Sequence, residues 1–142
     1  MSIIERFTLL YQDISRLNCN DLGNIYSEDV EFIDPVTRHQ GLASVQRYFS
    51  RLLDDTHTCT FTIHDVIACQ NNASALDYIV NWTMYLTLKE NSKQIVVDGT
   101  SQLKIANDKI CYHRDFYDLG QMVYEHVPIL RNVVSYVKGR LQ

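Results

Sequence analysis

The chain of 142 residues is 46% hydrophobic and 21% charged, with five glycines and two prolines. This length and composition predict a single domain over residues 1–142 and exclude collagen-like and low-complexity chains. The net charge of −4 and the scattered basic residues exclude a nucleic-acid-binding protein with a basic surface. No apolar run reaches the roughly 18 residues that a membrane span needs. The first residues lack an uninterrupted apolar stretch, so no secretory signal and a cytoplasmic location are expected.

The first half of the chain has mainly helical periodicity. Apolar residues at helical spacing predict an amphipathic helix of about four turns over residues 3–17. Asp21 can cap a short second helix over 21–26. A short strand is predicted over 30–34, where Pro35 stops it, and a further helix over 43–53.

The second half alternates between apolar and polar residues. This period of two predicts four strands, over 57–69, 76–88, 94–105 and 110–118. Short turns join them, as in an antiparallel meander. An apolar helix that begins near Pro128 follows. The predicted fold class is α+β, a curved and mostly antiparallel sheet with helices packed on one face.

Two local patterns within this order of elements resemble a known superfamily. The first is Tyr26-Ser-Glu-Asp-Val-Glu-Phe-Ile-Asp-Pro35, followed by Gly41 and a helix, and the second is Ile110-Cys-Tyr-His-Arg-Asp-Phe-Tyr-Asp-Leu119. They are similar to patterns in the nuclear-transport-factor-2-like superfamily, which contains ketosteroid isomerase, limonene epoxide hydrolase and the SnoaL-like polyketide cyclases. The resemblance implies a cone-shaped fold with the N-terminal helices on the concave face of the sheet.

The resemblance also implies roles for individual residues. Asp34 matches the general base of the isomerase, and Tyr11 falls within one residue of its oxyanion-hole tyrosine. Ser101 aligns best with the second oxyanion donor. Asp115 matches the water-activating aspartate of the hydrolase, whose Arg-x-Asp pair would fall near residues 80–83, where this chain has no charge. Each known site is therefore half present, and both reactions stay open.

The parity of the last predicted strand decides which of its side chains share a face. Side chains alternate along a strand, so one face carries Cys111, His113, Asp115 and Tyr117. By the resemblance this face points into the cone, where an imidazole, a carboxylate and a phenol would form a proton-transfer set. The prediction requires that no β-bulge interrupts residues 113–117. Arg114 and Phe116 would then point outward, onto a face that could pair with a second copy in a homodimer.

Simpler interpretations exist for these residues. Aspartate before proline is typical of a turn, so Asp34 can be a structural residue. Asp115 can belong to a hydrogen-bonded lining or pair with an arginine. Phe32, Trp82 and Tyr117 are expected to contact a ligand together with Ser101, although aromatic stripes usually belong to a core. No histidine or cysteine spacing fits a metal site, and no cofactor is expected.

The expected function is the binding of a small apolar molecule. The first hypothesis is an isomerase, cyclase or hydrolase, with Asp34 as base and Tyr11 or Asp115 assisting. The alternatives are a non-catalytic binding module and a structural homodimerising domain with a filled cone. A cavity of about 300 Å³ or more that contains both aspartates would favour the first two hypotheses. A cone closed by Trp82, Tyr117 and the C-terminal helix would favour the third.

Overall fold

The computed structural model describes residues 1–90 and 92–123, which contain one six-stranded sheet. The helices are α1 (Ile3–Gln12), a 3₁₀ helix (Cys19–Asn24), α2 (Leu42–Asp54) and α3 (Leu119–Val123). The strands are β1 (Tyr26–Ile33), β2 (Arg38–Gln40), β3 (Thr56–Ala68), β4 (Tyr78–Leu88), β5 (Gln94–Ala106) and β6 (Lys109–Tyr117). Their order is β2-β1-β6-β5-β4-β3, and only β1 and β6 pair in parallel. The predicted α+β fold and its antiparallel meander, β3 to β6, are confirmed.

The core fills the space between one face of the sheet and the helices. The residues of β4 that face it alternate along the strand, as predicted: Val80, Trp82, Met84, Leu86 and Leu88 are all buried. Helix α2 presents Leu42, Val45 and Phe49, which are spaced three and four residues apart and therefore lie on one side of the helix. Burial of this helix face and of one sheet face gives the layered arrangement.

Helix α1 is shorter than the helix predicted over 3–17. It ends at Gln12 because the chain then pairs with β3. The amide of Ile14 donates to the carbonyl of Cys59 at 3.0 Å, and Asp13 forms a β-bridge with the same strand. Ile14 is nevertheless buried. The apolar pattern therefore predicted burial correctly and helical conformation wrongly.

The next segment differs from the prediction at both of its ends. The 3₁₀ helix begins before the predicted 21–26, because the Asn18 side chain caps it by accepting an amide hydrogen bond. Strand β1 begins at Tyr26 rather than at residue 30 and pairs in parallel with β6. This pairing joins segments that are far apart in sequence, and it brings Tyr26 beside the last strand. Strand β2, which the sequence pattern does not predict, pairs with the end of β1.

Irregularities in two strands change the predicted alternation. The alternation predicts that Cys59, Phe61, Ile63 and Ile67 share the buried face of β3, but the register shifts at His64 and Ile67 is 45% exposed. In β6 the register shifts next to Cys111, so Ile110 is fully buried and Cys111 only half-buried. The expectation that Cys111 shares a face with His113 is therefore wrong. From His113 to Tyr117 the register with β5 is unbroken, as predicted.

Two predictions concern the helices of the chain. Among the described residues, none of the helices is both long and apolar enough for a membrane crossing. The helix predicted to begin near Pro128 lies outside the described residues.

Gly99 of β5 gives a test of the packing in this sheet. It lies opposite Trp82 of β4, and an added Cβ would come within 2.2 Å of the indole carbon Cη2. We expect Gly99→Ala to lower the free energy of unfolding by about 1–3 kcal/mol, the usual cost of overpacking, as measured by urea denaturation. Gly23→Ala is the control, since its nearest contact would be an ordinary 3.4 Å. Equal stability of the two variants would contradict the expected clash.

Candidate functional site

A cavity of about 50 Å³ lies between the sheet and helices α1 and α2. Its walls are mostly aromatic, with three aliphatic residues and two carboxylates: Tyr11, Ile14, Phe32, Asp34, Tyr48, Phe49, Leu52, Phe61, Trp82, Met84, Asp115 and Tyr117. The two predicted acids thus share one cavity with four other predicted site residues. The volume is well below the expected 300 Å³ or so and has room for a few water molecules.

Asp115 of β6 is held by one of its two carboxylate oxygens. Oδ1 accepts a hydrogen bond from the Ser101 hydroxyl at 2.5 Å and another from His113 Nε2 at 2.6 Å. Oδ2 has no protein hydrogen-bond partner within the described part of the chain. The side chain is 15% exposed and lines the cavity. The carboxylate is therefore fixed in orientation while one oxygen stays free to meet a bound molecule.

Ser101 and Trp82 support this carboxylate from β5 and β4. The indole Nε1 of Trp82 donates to the Ser101 hydroxyl at 2.9 Å, and Ser101 in turn donates to Asp115. Ser101 is buried and lies behind the cavity wall rather than in it. Trp82 lines the cavity directly, as predicted. Ser101 would therefore act on a ligand through Trp82 and Asp115, and not by the direct contact that was expected.

His113 lies behind the cavity wall and connects Asp115 to the core. It is 0% exposed, and the rings of Phe7 and Phe32 pack against it. Its Nδ1 is 2.6 Å from the Tyr26 hydroxyl, which is 2.7 Å from the Tyr11 hydroxyl. Tyr11, at the other end of these hydrogen bonds, lines the same cavity as Asp115. A chain of hydrogen bonds therefore leaves the cavity at Asp115 and returns to it at Tyr11.

When Asp115 is ionised, the protonation state of His113 sets the direction of the hydrogen bonds in this chain. An ionised carboxylate can only accept, so Nε2 of His113 carries a proton. A neutral imidazole then accepts from Tyr26, and Tyr26 accepts from Tyr11. A protonated imidazole donates from both nitrogens, which reverses both phenol hydrogen bonds and turns the Tyr11 proton toward the cavity. The chain can thus transmit a proton between its two ends.

The phenols of this region stay protonated. Burial raises the pKa of Tyr11 well above its ordinary value, and the neighbouring Tyr26 and Asp115 raise it further. Burial likewise raises the pKa of Tyr26. On the other side of the cavity, burial and then Asp34 raise the pKa of Tyr48. All three hydroxyls are therefore hydrogen-bond donors at neutral pH.

Asp34 holds a turn and also lines the cavity, so the structure agrees with both interpretations of this residue. Its Oδ1 accepts from the amides of Val36 at 2.8 Å and Thr37 at 2.7 Å. Its Oδ2 accepts from the Tyr48 hydroxyl at 2.7 Å. The residue is 7% exposed. Unlike Asp115, Asp34 has protein hydrogen bonds on both oxygens.

Two residues of the site, Tyr26 and Tyr48, were not predicted from the sequence to be functional. Tyr26 links Tyr11 to His113, but only the distant pairing of β1 with β6 reveals this. Tyr48 has the apolar spacing of Val45, Phe49 and Leu52 in its helix, so the sequence pattern predicts burial, and only the hydroxyl on this apolar face points to its hydrogen bond with Asp34. Within residues 1–90 and 92–123, no group of three or more His, Cys, Asp or Glu side chains could hold a metal ion.

The buried tyrosines predict a loss of stability at alkaline pH. Their pKa values are raised in the folded protein, so the native state binds these protons more tightly than the unfolded chain, which ionises near pH 10. The stabilisation is complete below about pH 10 and is lost as the pH rises through the folded values. We expect these tyrosines to ionise, as measured by phenolate absorbance, over the same pH range in which the protein unfolds, as measured by circular dichroism. Ionisation of every tyrosine in a protein that keeps its dichroism would contradict this.

Comparisons with known proteins bear on the family and the fold of this chain. The family model of the SnoaL-like domain matches residues 7–113. The crystal structure of a hypothetical Catenulispora acidiphila protein of ketosteroid isomerase-like fold, in complex with trimethylamine, has a TM-score of 0.69 and 15% identity, over 85% of this chain and 88% of that chain. An NTF2-like protein of unknown function from Exiguobacterium sp. 255-15 has a TM-score of 0.70 and 15% identity, over 82% and 98%.

A further solved structure is that of a proposed SnoaL-like polyketide cyclase from Shewanella denitrificans, with a TM-score of 0.65 and 18% identity over 84% of this chain and 93% of that chain. The comparison with curated proteins gives no match. At these identities the structural likeness establishes the fold alone. The match of the family model spans the chain from α1 into β6, and it shows that the chain belongs to the SnoaL-like domain family.

Proposed function

We propose that the cavity binds a small, largely apolar molecule and that Asp115 removes a proton from it or from an adjacent water molecule. The observation that carries this proposal is the asymmetry of the Asp115 carboxylate. One oxygen is held by Ser101 and His113, and the other has no hydrogen-bond partner within the described residues, in a cavity wall that is mostly aromatic. A fixed carboxylate with a free oxygen in a cavity suits general-base catalysis.

The hydrogen-bond chain supplies the complementary acid. As a C–H or O–H bond of the molecule breaks, its proton forms an O–H bond with Oδ2 of Asp115. With His113 protonated, Tyr11 donates a hydrogen bond to an oxygen of the same molecule, where negative charge develops. Tyr26 and a protonated His113 can replace the proton if Tyr11 gives it up. Isomerases, cyclases and hydrolases share this proton-abstraction step, so the proposal covers all three reaction types.

The relatives support binding of a small molecule without naming it. The Catenulispora acidiphila protein was crystallised with trimethylamine, and the Shewanella denitrificans protein is a proposed polyketide cyclase. A cavity of about 50 Å³ requires either a very small ligand or rotation of a wall side chain. That small volume favours a structural dimerisation module over both ligand-binding candidates, and the non-catalytic binding module stays the other alternative. Single-domain organisation over 1–142 and the cytoplasmic location stay predictions.

The proposed base can be tested without knowledge of the natural substrate. Cyclohexanone in deuterated water reports proton abstraction from carbon, and hydrolysis of cyclohexene oxide reports activation of water; both are followed by nuclear magnetic resonance. We expect Asp115→Asn to reduce the protein-catalysed rate by about 10²-fold or more, because the amide keeps the shape and removes the base.

Asp65→Asn is the control for this experiment. Asp65 is an exposed carboxylate on β3, away from the cavity, and its substitution should leave the rate unchanged. An unchanged rate in Asp115→Asn would contradict the assignment of the base. Binding of either probe without turnover would favour the non-catalytic candidate.

We also propose that the chain forms a homodimer through the outer face of its sheet. Phe116 and Val96 are 41% and 45% exposed there, and the Arg114 guanidinium lies 4.8 Å from the Phe116 ring centre. Exposed apolar residues on an extended sheet face favour pairing with another flat face. A second copy offers the same mixture of apolar and polar groups, as a two-fold interface requires.

The dimer predicts a solution mass of twice the 16.5 kDa of one chain, measured by light scattering. Phe116→Asp should shift the protein toward the monomer, raising the dimer dissociation constant by about 10-fold or more. Leu9→Asp is the matched control, because Leu9 is 56% exposed on α1 and not on the sheet. A monomeric mass for the unaltered chain over a wide concentration range would refute the dimer.

A further inference from the structure

We infer that the small molecule bound in the cavity carries a positive charge, as an alkylammonium group does. The inference rests on the proposed function and adds a ligand class to it. It follows from the charges and the rings around the cavity rather than from the volume.

The charged groups that line the cavity are all acidic. Asp34 and Asp115 both belong to the wall, and no lysine or arginine lines it within the described residues. The donors to Asp34 are amides and hydroxyls, which are neutral groups. His39 is linked to Asp34 through Thr37, and burial lowers the pKa of that histidine, so it adds no charge at neutral pH.

Within the described residues, His113 is thus the one group that is hydrogen-bonded to a lining carboxylate and can carry a positive charge; of the two carboxylates it contacts only Asp115. When both carboxylates are ionised, the formal charge of the site is −1 with a protonated His113 and −2 with a neutral one. A buried anion without a counter-charge is costly, and the cost falls when a cation binds beside it. An anionic ligand would instead be repelled by both carboxylates.

The walls suit the body of an organic cation. Phe61 packs edge-to-face against Trp82 with ring centres 5.1 Å apart, and Tyr11 packs edge-to-face against Phe61 at 5.3 Å. Rings arranged in this way line the space with both faces and edges. Ring faces attract cations, and alkyl groups on the cation fill the remaining apolar contacts. A wholly apolar ligand would use the walls but leave the negative charge of the two carboxylates uncompensated.

The two carboxylates then have different roles. Asp34 has both oxygens bonded by the protein, so it contributes a fixed negative charge that attracts the cation. Asp115 keeps a free oxygen for the proton transfer of the proposed function. Each role follows from the hydrogen bonds that the carboxylate already has.

Three probes of matched shape test the charge. The tert-butylammonium ion, tert-butanol and pivalate share a tert-butyl group and differ in charge. Trp82 is the one tryptophan in the sequence and lines the cavity, so its fluorescence reports binding. We expect the ammonium ion to bind at least about 10-fold more tightly than tert-butanol, and pivalate to bind weakest.

The Asp34→Asn variant tests whether the negative charge of Asp34 attracts the bound cation. It should weaken binding of the ammonium ion by at least about 5-fold more than it weakens binding of tert-butanol, whereas Asp65→Asn should alter neither. Equal or tighter binding of tert-butanol or pivalate to the unaltered protein would overturn the inference and leave the proposed cavity intact. Failure of all three probes to bind would count against the proposed function as well. The comparison on the unaltered protein stands even if Asp34→Asn fails to fold, which circular dichroism would detect.

Discussion

The burial of His113 is the constraint on which the site depends. A ring with two polar nitrogens and no exposed surface must find a partner for each nitrogen, because an unpaired buried polar group costs about 1–3 kcal/mol. One partner is Asp115, two residues along the same strand, and the other is Tyr26 on the parallel neighbour β1. The same bonds that make this buried ring tolerable fix the orientation of Asp115. The packing of the core thereby decides which carboxylate oxygen remains free.

The fold and the site are built from the same contacts. The parallel pair of β1 and β6 places the Tyr26 hydroxyl beside His113, and α1 places the Tyr11 hydroxyl against Tyr26. From the opposite side, Trp82 reaches Ser101 because Gly99 offers no side chain in its path. Each of these residues also belongs to the core or to its edge. A change in packing at any of them would therefore move Asp115.

The parts of the structure that follow from local pattern were predictable. Alternation over 76–88 identified β4, and strand parity placed Asp115 and Tyr117 together on the cavity. Errors arose where a distant partner overrode the local pattern. Helix α1 stops early because its continuation pairs with β3, and Cys111 leaves the predicted face because of a bulge. The link through Tyr26 and the small volume depend on how whole elements pack, which no single segment encodes.

Hydrogen bonds already made within the protein distinguish the two carboxylates of this cavity. A carboxylate that holds a turn, as Asp34 does, gains stability from the fold and loses freedom to react, because both of its oxygens are occupied. A carboxylate held by one oxygen keeps its orientation and its reactivity together. Sequence alone ranks the two aspartates by their resemblance to different enzymes. The proposal that Asp115 is the base rests instead on a physical criterion, the carboxylate oxygen that has no hydrogen-bond partner among the described residues.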